Sequence, residues 1–168
     1  MNAPTAFHQL GKSIYYFQHA EAAINEVLVL LAKRDSEATL ILINELDYSQ
    51  RIKTADVMFA RFVDLQREPD LVAKANWHKL MVELGKLGER RNNLVHSKYT
   101  MWRNVDRADG LIRQNSNLRA SKGFREEAEE EMLPESFNPD LERLELALRE
   151  IEAFRMTIIN WLYPDVQD

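Results

Sequence analysis

The chain contains no cysteine and few residues that break helices, and these two shortages already restrict its chemistry and its fold. Its 168 residues include no Cys, five Gly and five Pro. Without cysteine the chain forms no disulfide and holds no metal through thiolates, and nothing in its composition argues for secretion. Because glycine and proline most often interrupt helices, their scarcity favours a fold that is helical over long stretches.

Long apolar runs are also missing. The longest apolar-rich stretch, INEVLVLLA at residues 24–32, is too short to cross a bilayer, which takes about 20 apolar residues. The N-terminus lacks the basic-then-apolar order of a signal peptide. With 45% hydrophobic and 29% charged residues, the composition is ordinary for a globular protein. We therefore expect a cytoplasmic protein with a single domain, residues 1–168, and no membrane partner.

Basic charge is concentrated in one part of an acidic chain. The net charge is −5, yet residues 86–125 hold ten Lys and Arg against three Asp and Glu. A polyanion such as RNA would be drawn to this region. The acidic run EEAEEE at residues 126–131 follows directly. It either neutralises the basic region or forms a solvated tether, and a charge run is more often the latter.

Apolar residues recur at helical spacing over most of the chain, which predicts an all-α fold. We expect an up-and-down bundle of four to five helices. The predicted helices cover residues 5–33, 36–46 with Ser36 as N-cap, 47 or 49 to 66, 69–96 and 139–163. Residues 97–137 break the pattern with Gly110, Gly123 and Pro134, and contain only short extended-looking pieces, YTMW and GLIR. We predict an irregular or flexible insertion there, before the last helix.

Two charged residues interrupt apolar seams of the predicted helices. On the first helix, Glu21 lies in a row of apolar residues at three- and four-residue steps that starts at Phe7. On the fourth, Arg91 continues a row that starts at Trp77. Burying an unpaired ion is costly. We hypothesise that Glu21 and Arg91 pair across the contact between these helices; the alternative is that Glu21 lies at the edge of its seam and reaches water.

A second face of the fourth helix carries Gly85, Gly88, Asn92 and His96 in line, at spacings of three and four. Glycine inside a helix costs about 1 kcal/mol relative to alanine, which suggests a packing reason such as the close approach of another backbone. A homodimer contact on this face would bring Asn92 and His96 of two subunits together. The spacing thus predicts a dimer interface at a polar pair.

The segment RNNLVH, residues 91–96, resembles the Arg-x4–6-His signature of HEPN domains, helical-bundle proteins many of which are metal-independent endoribonucleases. A polar residue follows the arginine, two apolar residues precede the histidine, and the motif ends a long predicted helix, as in the family. The first helix is also similar to that of several HEPN families, with a Glu in YFQHAEAAINEVL and a Gly in LGKSI. The resemblance covers roughly residues 5–99 and 138–163.

The resemblance implies a catalytic set of Arg91, Asn92 and His96, with Glu21 in a supporting position. His96 would act as the acid or base at the ribose 2′-OH, Arg91 would clamp the phosphate, and Asn92 would position the substrate. The products would carry a 2′,3′-cyclic phosphate and a 5′-hydroxyl, and neither a metal nor a cofactor is expected. The family builds such sites across a homodimer.

Residues around the motif are candidates for holding an RNA strand. Basic side chains would guide the strand and aromatic side chains would stack on bases. These candidates are Arg90, Lys98, Tyr99, Trp102 and Arg103. An aromatic residue just after a helix is at least as often a cap on the core. If the protein is a toxin, an antitoxin protein is a further partner.

Two functions stay open on the sequence. The first is an HEPN-like metal-independent endoribonuclease that serves as a toxin or a defence factor. The second is a non-catalytic module of the same fold that dimerises or binds RNA or another ligand. In the catalytic case, His96 and part of Arg91 must be open to solvent. In the structural case, Glu21, Arg91 and His96 form a buried network within one subunit.

Overall fold

Helices make up most of the chain. The computed structural model describes residues 5–33, 35–103, 105 and 109–164. Its five helices in these ranges are α1 (Ala6–Ala32), α2 (Ser36–Asn44), α3 (Tyr48–Asp64), α4 (Leu71–Val95) and α5 (Asn138–Leu162). Three strands lie between α4 and α5 in sequence: β1 (Lys98–Arg103), β2 (Asp109–Arg119) and β3 (Phe124–Met132). The helical character and the number of helices are confirmed, with bounds close to those predicted.

The strands between α4 and α5 form a small antiparallel sheet, so the prediction of a purely all-α fold is corrected. The strand order is β1-β2-β3, and Arg113 on β2 is opposite Glu130 on β3. Much of the segment 97–137 is thus regular structure where an irregular insertion was expected. The connection from β2 to β3 ends at Gly123, whose φ of +68° is a left-handed conformation that glycine adopts without a steric penalty.

The chain divides into two compact units. The sheet unit comprises residues 1–16 and 89–143, and the helical unit comprises residues 17–88 and 144–168. Helices α1, α4 and α5 each contribute residues to both units. The single domain predicted for residues 1–168 stays a prediction.

The core of the sheet unit is small and apolar. Its buried members pack together and are Ala6, Leu94, Leu111, Met132, Phe137 and Leu141. Leu111 on β2 and Met132 on β3 are opposite each other, so alternate side chains of both strands point into this core. Arg113 is two positions from Leu111 along β2, and Glu130 is two positions from Met132 along β3. Arg113 and Glu130 therefore lie on the same face of the sheet as the apolar pair. The sheet therefore places a charged pair directly next to the apolar cluster.

Polar residues of α1 occupy buried positions in the sheet unit. Gln9 donates from Nε2 to Asn138 Oδ1 at 3.2 Å, and Ser13 Oγ donates to the Gln9 carbonyl at 2.9 Å. Phe7, which the predicted seam turned inward, is 53% exposed. The seam prediction is therefore wrong at Phe7, whereas Leu10, the next member of the row, packs against the apolar cluster. Buried Gln9 and Ser13 are tolerated because their side chains make internal hydrogen bonds.

Aromatic side chains dominate the core of the helical unit. Phe59 stacks on Trp77 with 4.8 Å between ring centroids, and Phe154 meets Trp77 edge-on at 5.1 Å. The buried indole N–H of Trp77 donates to the Ala55 carbonyl at 3.3 Å, so this polar group is satisfied. The seam predicted on α4 is confirmed in this unit, where its members are all buried: Trp77, Leu80, Leu84 and Leu87.

Aspartates cap three helices of the helical unit. Asp35, rather than the predicted Ser36, is the N-cap of α2, and its carboxylate accepts two backbone N–H groups. Asp47 caps α3, and Asp70 accepts a backbone N–H in the first turn of α4. A carboxylate satisfies N–H groups that a helix leaves open at its N-terminus, and its charge is favourable there.

Candidate functional site

The candidate catalytic residues lie at the C-terminal end of α4, in the sheet unit. Successive residues of a helix are turned by about 100°, so Asn92 and His96 share one face while Leu94 points the opposite way. Leu94 is 4% exposed and belongs to the core, whereas Asn92 and His96 are both exposed. Burial of Leu94 therefore presents the two polar residues to solvent.

Hydrogen bonds join the three candidate residues along the end of α4. Arg91 is half-buried, and its Nη1 donates to Asn92 Oδ1 at 3.1 Å. The backbone N–H of His96 donates to the Asn92 carbonyl at 3.0 Å and closes the last helical turn. The guanidinium, the amide and the imidazole are thus carried by one short stretch of backbone.

Side chains from the sheet hold this helix end. Tyr99 Oη donates to the Leu94 carbonyl at 2.6 Å, and Arg113 Nη1 donates to Ser97 Oγ at 3.1 Å. Burial raises the pKa of the Tyr99 phenol, which keeps it protonated as a donor. The last four carbonyls of a helix have no partner within the helix, so a donor from the sheet satisfies a group that would otherwise need water. These contacts fix the turn that leads from α4 past His96 into β1.

Glu130 on β3 binds two arginines, one on α4 and one on β2, and so connects the end of α4 to the sheet. Arg90 on α4 contacts Glu130 in a bidentate pair, with Nη1 and Nη2 at 3.0 and 2.9 Å from the carboxylate oxygens, and its Nε contacts Asp140 at 2.9 Å. Arg113 on β2 is only 8% exposed, and its Nε contacts Glu130 at 2.8 Å. Bidentate arginine–carboxylate pairs are among the stronger and more directional hydrogen bonds in proteins.

These hydrogen bonds shift the pKa values of the paired groups. The hydrogen bond from Arg90 holds the pKa of Glu130 below its usual value, although desolvation acts in the opposite direction. The hydrogen bond to Glu130 likewise raises the pKa of Arg90 above its usual value. Both shifts favour the charged forms, so Glu130 and Arg90 are ionised at neutral pH.

Both arginines predicted to guide an RNA strand are engaged by carboxylates. All three side-chain nitrogens of Arg90 contact Glu130 or Asp140, so binding a phosphate through Arg90 would require this network to open. Arg103 Nε contacts Asp109 at 2.7 Å in an exposed pair, which raises the pKa of Arg103. An exposed pair is weak, and a phosphate competes with it more easily than with the Arg90 network.

The other predicted strand-binding residues differ in their surroundings. Tyr99 packs against the core of the sheet unit, which is the alternative considered for it as a cap. Trp102 is half-buried, and a Cβ built on Gly110 would lie 3.3 Å from its ring, so the glycine makes room for the indole. Lys98 is exposed on β1. The strand-binding roles stay predictions, and of the five candidates Lys98 and Arg103 are exposed.

One glycine of α4 has a packing reason within its own unit. At Gly88 any side chain would overlap the ring of Tyr48, whose Oη donates to the Leu84 carbonyl at 2.9 Å. At Gly85 an added Cβ would meet nothing within 4 Å. The close approach predicted at Gly88 is therefore made by Tyr48 rather than by a second backbone. The homodimer contact on this face stays a prediction.

His96 is not part of a buried network with Glu21 and Arg91, which the non-catalytic alternative required. That network required His96 to be enclosed together with Arg91 and Glu21, yet His96 is exposed. Glu21 is half-buried on α1 in the helical unit, whereas Arg91 belongs to the sheet unit. The pair proposed between Glu21 and Arg91 stays a prediction.

The predicted site omitted Arg113, Glu130 and Asp140. In the sheet, Leu111 and Arg113 share a face of β2, and Glu130 and Met132 share a face of β3, but the run EEAEEE does not predict the strand that this alternation requires. The acidic run was assigned to a solvated tether, but at Glu130 it neutralises the basic region instead. This is the less favoured of the two roles considered for the run.

Neither a metal site nor a membrane span is found in the described part of the chain. No three His, Asp or Glu side chains in these ranges cluster as a metal ion would require. None of the helices there combines the length and the apolar character needed to cross a membrane. Comparisons with protein-family models, with curated proteins and with solved structures found no match to the chain. Function is therefore argued from the site itself.

Proposed function

We propose that the protein is an HEPN-like endoribonuclease that cleaves RNA through the ribose 2′-OH without a metal ion. The observation that carries the proposal is the exposure of Asn92, in the last turn of α4, and of His96, directly after it, with Arg91 hydrogen-bonded to Asn92 at 3.1 Å. A proton carrier, an amide and a permanent cation are then available to a substrate at one position. In the alternative buried network, the imidazole would be closed to RNA.

The reaction needs two proton transfers and a cation. The ribose 2′-oxygen attacks phosphorus, the bond to the 5′-oxygen breaks, and the 2′-OH proton leaves as the 5′-oxygen gains one. Imidazole is the side chain most suited to such transfers near neutral pH, which assigns this task to His96. Arg91 keeps its charge and stabilises the phosphate oxygens as negative charge develops. Asn92 orients the guanidinium through Oδ1 and leaves its amide N–H groups to the substrate.

A second copy of the motif would complete this chemistry. One imidazole serves one proton transfer at a time, so two motifs facing one cleft would supply the base and the acid together. This is the homodimer that the HEPN resemblance implies. A role as a toxin or a defence factor, with an antitoxin protein as partner, follows from the same resemblance and depends on this activity.

Cleavage of RNA in excess EDTA tests the proposal. Purified protein is incubated with end-labelled total tRNA and mRNA, and we expect cleavage that leaves 2′,3′-cyclic phosphate ends. His96→Ala is expected to lower the rate by about 100-fold or more, the usual contribution of a positioned acid or base, and Arg91→Ala by a similar factor. Matched controls are His8→Ala and Arg67→Ala, which change exposed residues outside the site and are expected to cleave at the wild-type rate.

Folding must be intact for these comparisons to count. Circular dichroism of each variant checks the helical content, and only variants with the wild-type spectrum enter the assay. Equal cleavage by the wild type and a folded His96→Ala variant would contradict the proposal. Cleavage that EDTA abolishes would contradict it as well.

A non-catalytic binding module is the second candidate function. The observation that favours it is that Arg90 and Arg113 are held by Glu130 and Asp140, so these arginines next to the motif stabilise the fold rather than contact a substrate. In this case the wild type binds RNA or a partner without cutting it, and His96→Ala binds equally well. Fluorescence polarisation with labelled RNA, run in parallel with the cleavage assay, separates the two functions.

A further inference from the structure

Helix α2 of the helical unit is apolar, yet most of its apolar side chains lie in solvent. Ile43 is buried, whereas the three residues before it, Leu40, Ile41 and Leu42, are 41, 61 and 71% exposed. Single exposed apolar residues are common on protein surfaces. Three consecutive ones cover about 200° of the circumference of this short helix, an exposed apolar surface of the kind that marks an interaction site.

A cavity of about 390 Å³ lies along α2 within the helical unit. Leu40 and Ile41 form part of its wall, and Asn25 on α1 and Arg51 on α3 form other parts. The volume falls within the range of about 300–1,000 Å³ that is usual for binding pockets. The cavity is therefore large enough to take a bulky apolar side chain from a partner.

Acidic residues flank the apolar part of α2 at both ends. Residues 35–47 contain four acidic and no basic residues. Glu37, Ile41 and Glu45 follow one another at four-residue steps and all line the cavity, so the two carboxylates lie on the same face as the apolar side chain. Both glutamates are exposed, and Arg51, the basic residue among those that line the cavity, donates its Nε to the Leu46 carbonyl at 2.9 Å.

We propose that this surface binds a segment of another protein in which a bulky apolar residue lies between two basic residues. Glu37 and Glu45 are eight positions apart, which corresponds to about 12 Å along a helix at about 1.5 Å per residue. An extended peptide rises about 3.3 Å per residue. Basic residues about four positions apart therefore reach both carboxylates, and the apolar residue between them lies over the cavity.

Charge favours such a segment over two other partners that could cover an apolar patch, a second copy of the chain and a lipid membrane. In a symmetric antiparallel contact between two copies of α2, the acidic ends of one helix approach those of the other, which is unfavourable. An anionic lipid surface is repelled by the same carboxylates. A segment with basic residues on both sides of its apolar residue pairs with Glu37 and Glu45 at once. The inference does not depend on RNA cleavage, since it rests on the helical unit alone.

The test measures binding of a blocked, fluorescein-labelled peptide, Gly-Lys-Ala-Phe-Ala-Lys-Gly, to the full chain by fluorescence polarisation. We expect this peptide to bind at least about tenfold more tightly than two control peptides. One control has Glu in place of both Lys, and the other has Gly in place of Phe. Amide chemical-shift changes on addition of the Lys peptide are expected at α2 and at Arg51.

Two variants of the protein locate the binding surface. Ile41→Ser is expected to reduce peptide binding at least about fivefold, whereas Val57→Ser, its matched control on α3, is expected to have no effect. Ile41 and Val57 are each 61% exposed, so neither change disturbs the core. The double change Glu37→Lys with Glu45→Lys is expected to reverse the preference to the Glu peptide, and Glu68→Lys, another exposed glutamate, is its control.

Several outcomes overturn the proposal. Absence of binding by the Lys peptide at millimolar concentration overturns it, as does equal binding of the Lys and Glu peptides. Analytical ultracentrifugation of the protein alone tests a second copy as the occupant, because Ile41→Ser would then convert a dimer to a monomer. Co-sedimentation with vesicles that contain phosphatidylserine tests a membrane. If the peptide does not bind, a dimer that Ile41→Ser dissociates would identify a second copy as the occupant, and co-sedimentation with the vesicles would identify a membrane.

Discussion

The two units of the chain are stabilised by different interactions. The helical unit is built around stacked aromatic rings such as Phe59 and Trp77. The sheet unit combines a small apolar cluster with the ion pairs that Glu130 makes to Arg90 and Arg113. Apolar packing depends little on pH, whereas a partly buried ion pair requires both charges and tolerates the loss of one partner poorly. The candidate catalytic end of α4 therefore depends on electrostatics to a degree that the aromatic core does not.

Removal of an aromatic ring from the helical unit should have the largest effect. Trp77 is completely buried, so Trp77→Ala leaves a cavity and should lower the free energy of unfolding by about 3–5 kcal/mol. Urea denaturation followed by circular dichroism measures the change. Val57→Ala, an exposed position in the same unit, is the control and should change little. A loss below about 1 kcal/mol for Trp77→Ala would contradict the role given to the aromatic core.

Removal of the shared carboxylate from the sheet unit should have the next largest effect. Glu130→Gln leaves the buried Arg113 without its charged partner and should lower the free energy of unfolding by about 1–3 kcal/mol. Glu131→Gln is the matched control, because its side chain is exposed on the opposite face of β3. The same urea experiment compares the two variants. If they are equally stable, the ion pairs do not distinguish the two units.

The contribution of Glu130 should also depend on pH. Its pKa is lowered in the folded protein, chiefly by the hydrogen bond from Arg90. A carboxyl group of this kind stabilises the fold above its ordinary pKa of 4.5, and the stabilisation is lost as the pH falls through the lower folded value. The pKa of Arg90 is raised, so Arg90 stays charged and adds no dependence in acid.

The wild type and Glu130→Gln should therefore differ by a constant free energy of unfolding from about pH 7 to about pH 5, and by less in more acidic solution. Urea denaturation of both proteins at each pH measures this difference. Trp77→Ala serves as the comparison from the helical unit, because its deficit should not follow this titration. A difference between wild type and Glu130→Gln that is unchanged down to about pH 3 would contradict the assignment.

Loss of one hydrogen bond at the end of α4 should have the smallest effect. Tyr99→Phe keeps the ring in the core but removes the donor to the Leu94 carbonyl, which should cost about 0.5–1.5 kcal/mol. Hydrogen exchange of the amides at residues 92–96 should quicken at the same time. Tyr163→Phe, an exposed tyrosine, is the control. Unchanged exchange at residues 92–96 would show that Tyr99 does not hold the helix end.

The helices were predictable from the sequence because apolar residues repeat at helical spacing. The row from Trp77 to Leu87 on α4 is buried as its period indicates. Strand β3 was not predictable in this way, since glutamate is depleted in strands and the run EEAEEE reads as solvated. Its pairing with β2, where Glu130 is opposite the buried Arg113, outweighs this weak local preference.

The candidate site was predictable only as far as local pattern reaches. Arg91, Asn92 and His96 were placed at a helix end by the motif, and their exposure follows from the burial of Leu94 on the opposite face. The partner of Arg90 was not predictable, because Glu130 is 40 residues away along the chain and no short pattern pairs the two. The functional roles of the site stay predictions.

Dependence of cleavage on the ribose 2′-OH tests the central claim most directly. A ribo-oligonucleotide pool of random sequence and the same pool with every 2′-oxygen methylated are incubated with the wild-type protein in excess EDTA. The proposed chemistry predicts that the unmodified pool is cut to products with 2′,3′-cyclic phosphate ends and that the methylated pool stays intact. Cleavage of both pools, or of neither by the folded protein, would contradict it.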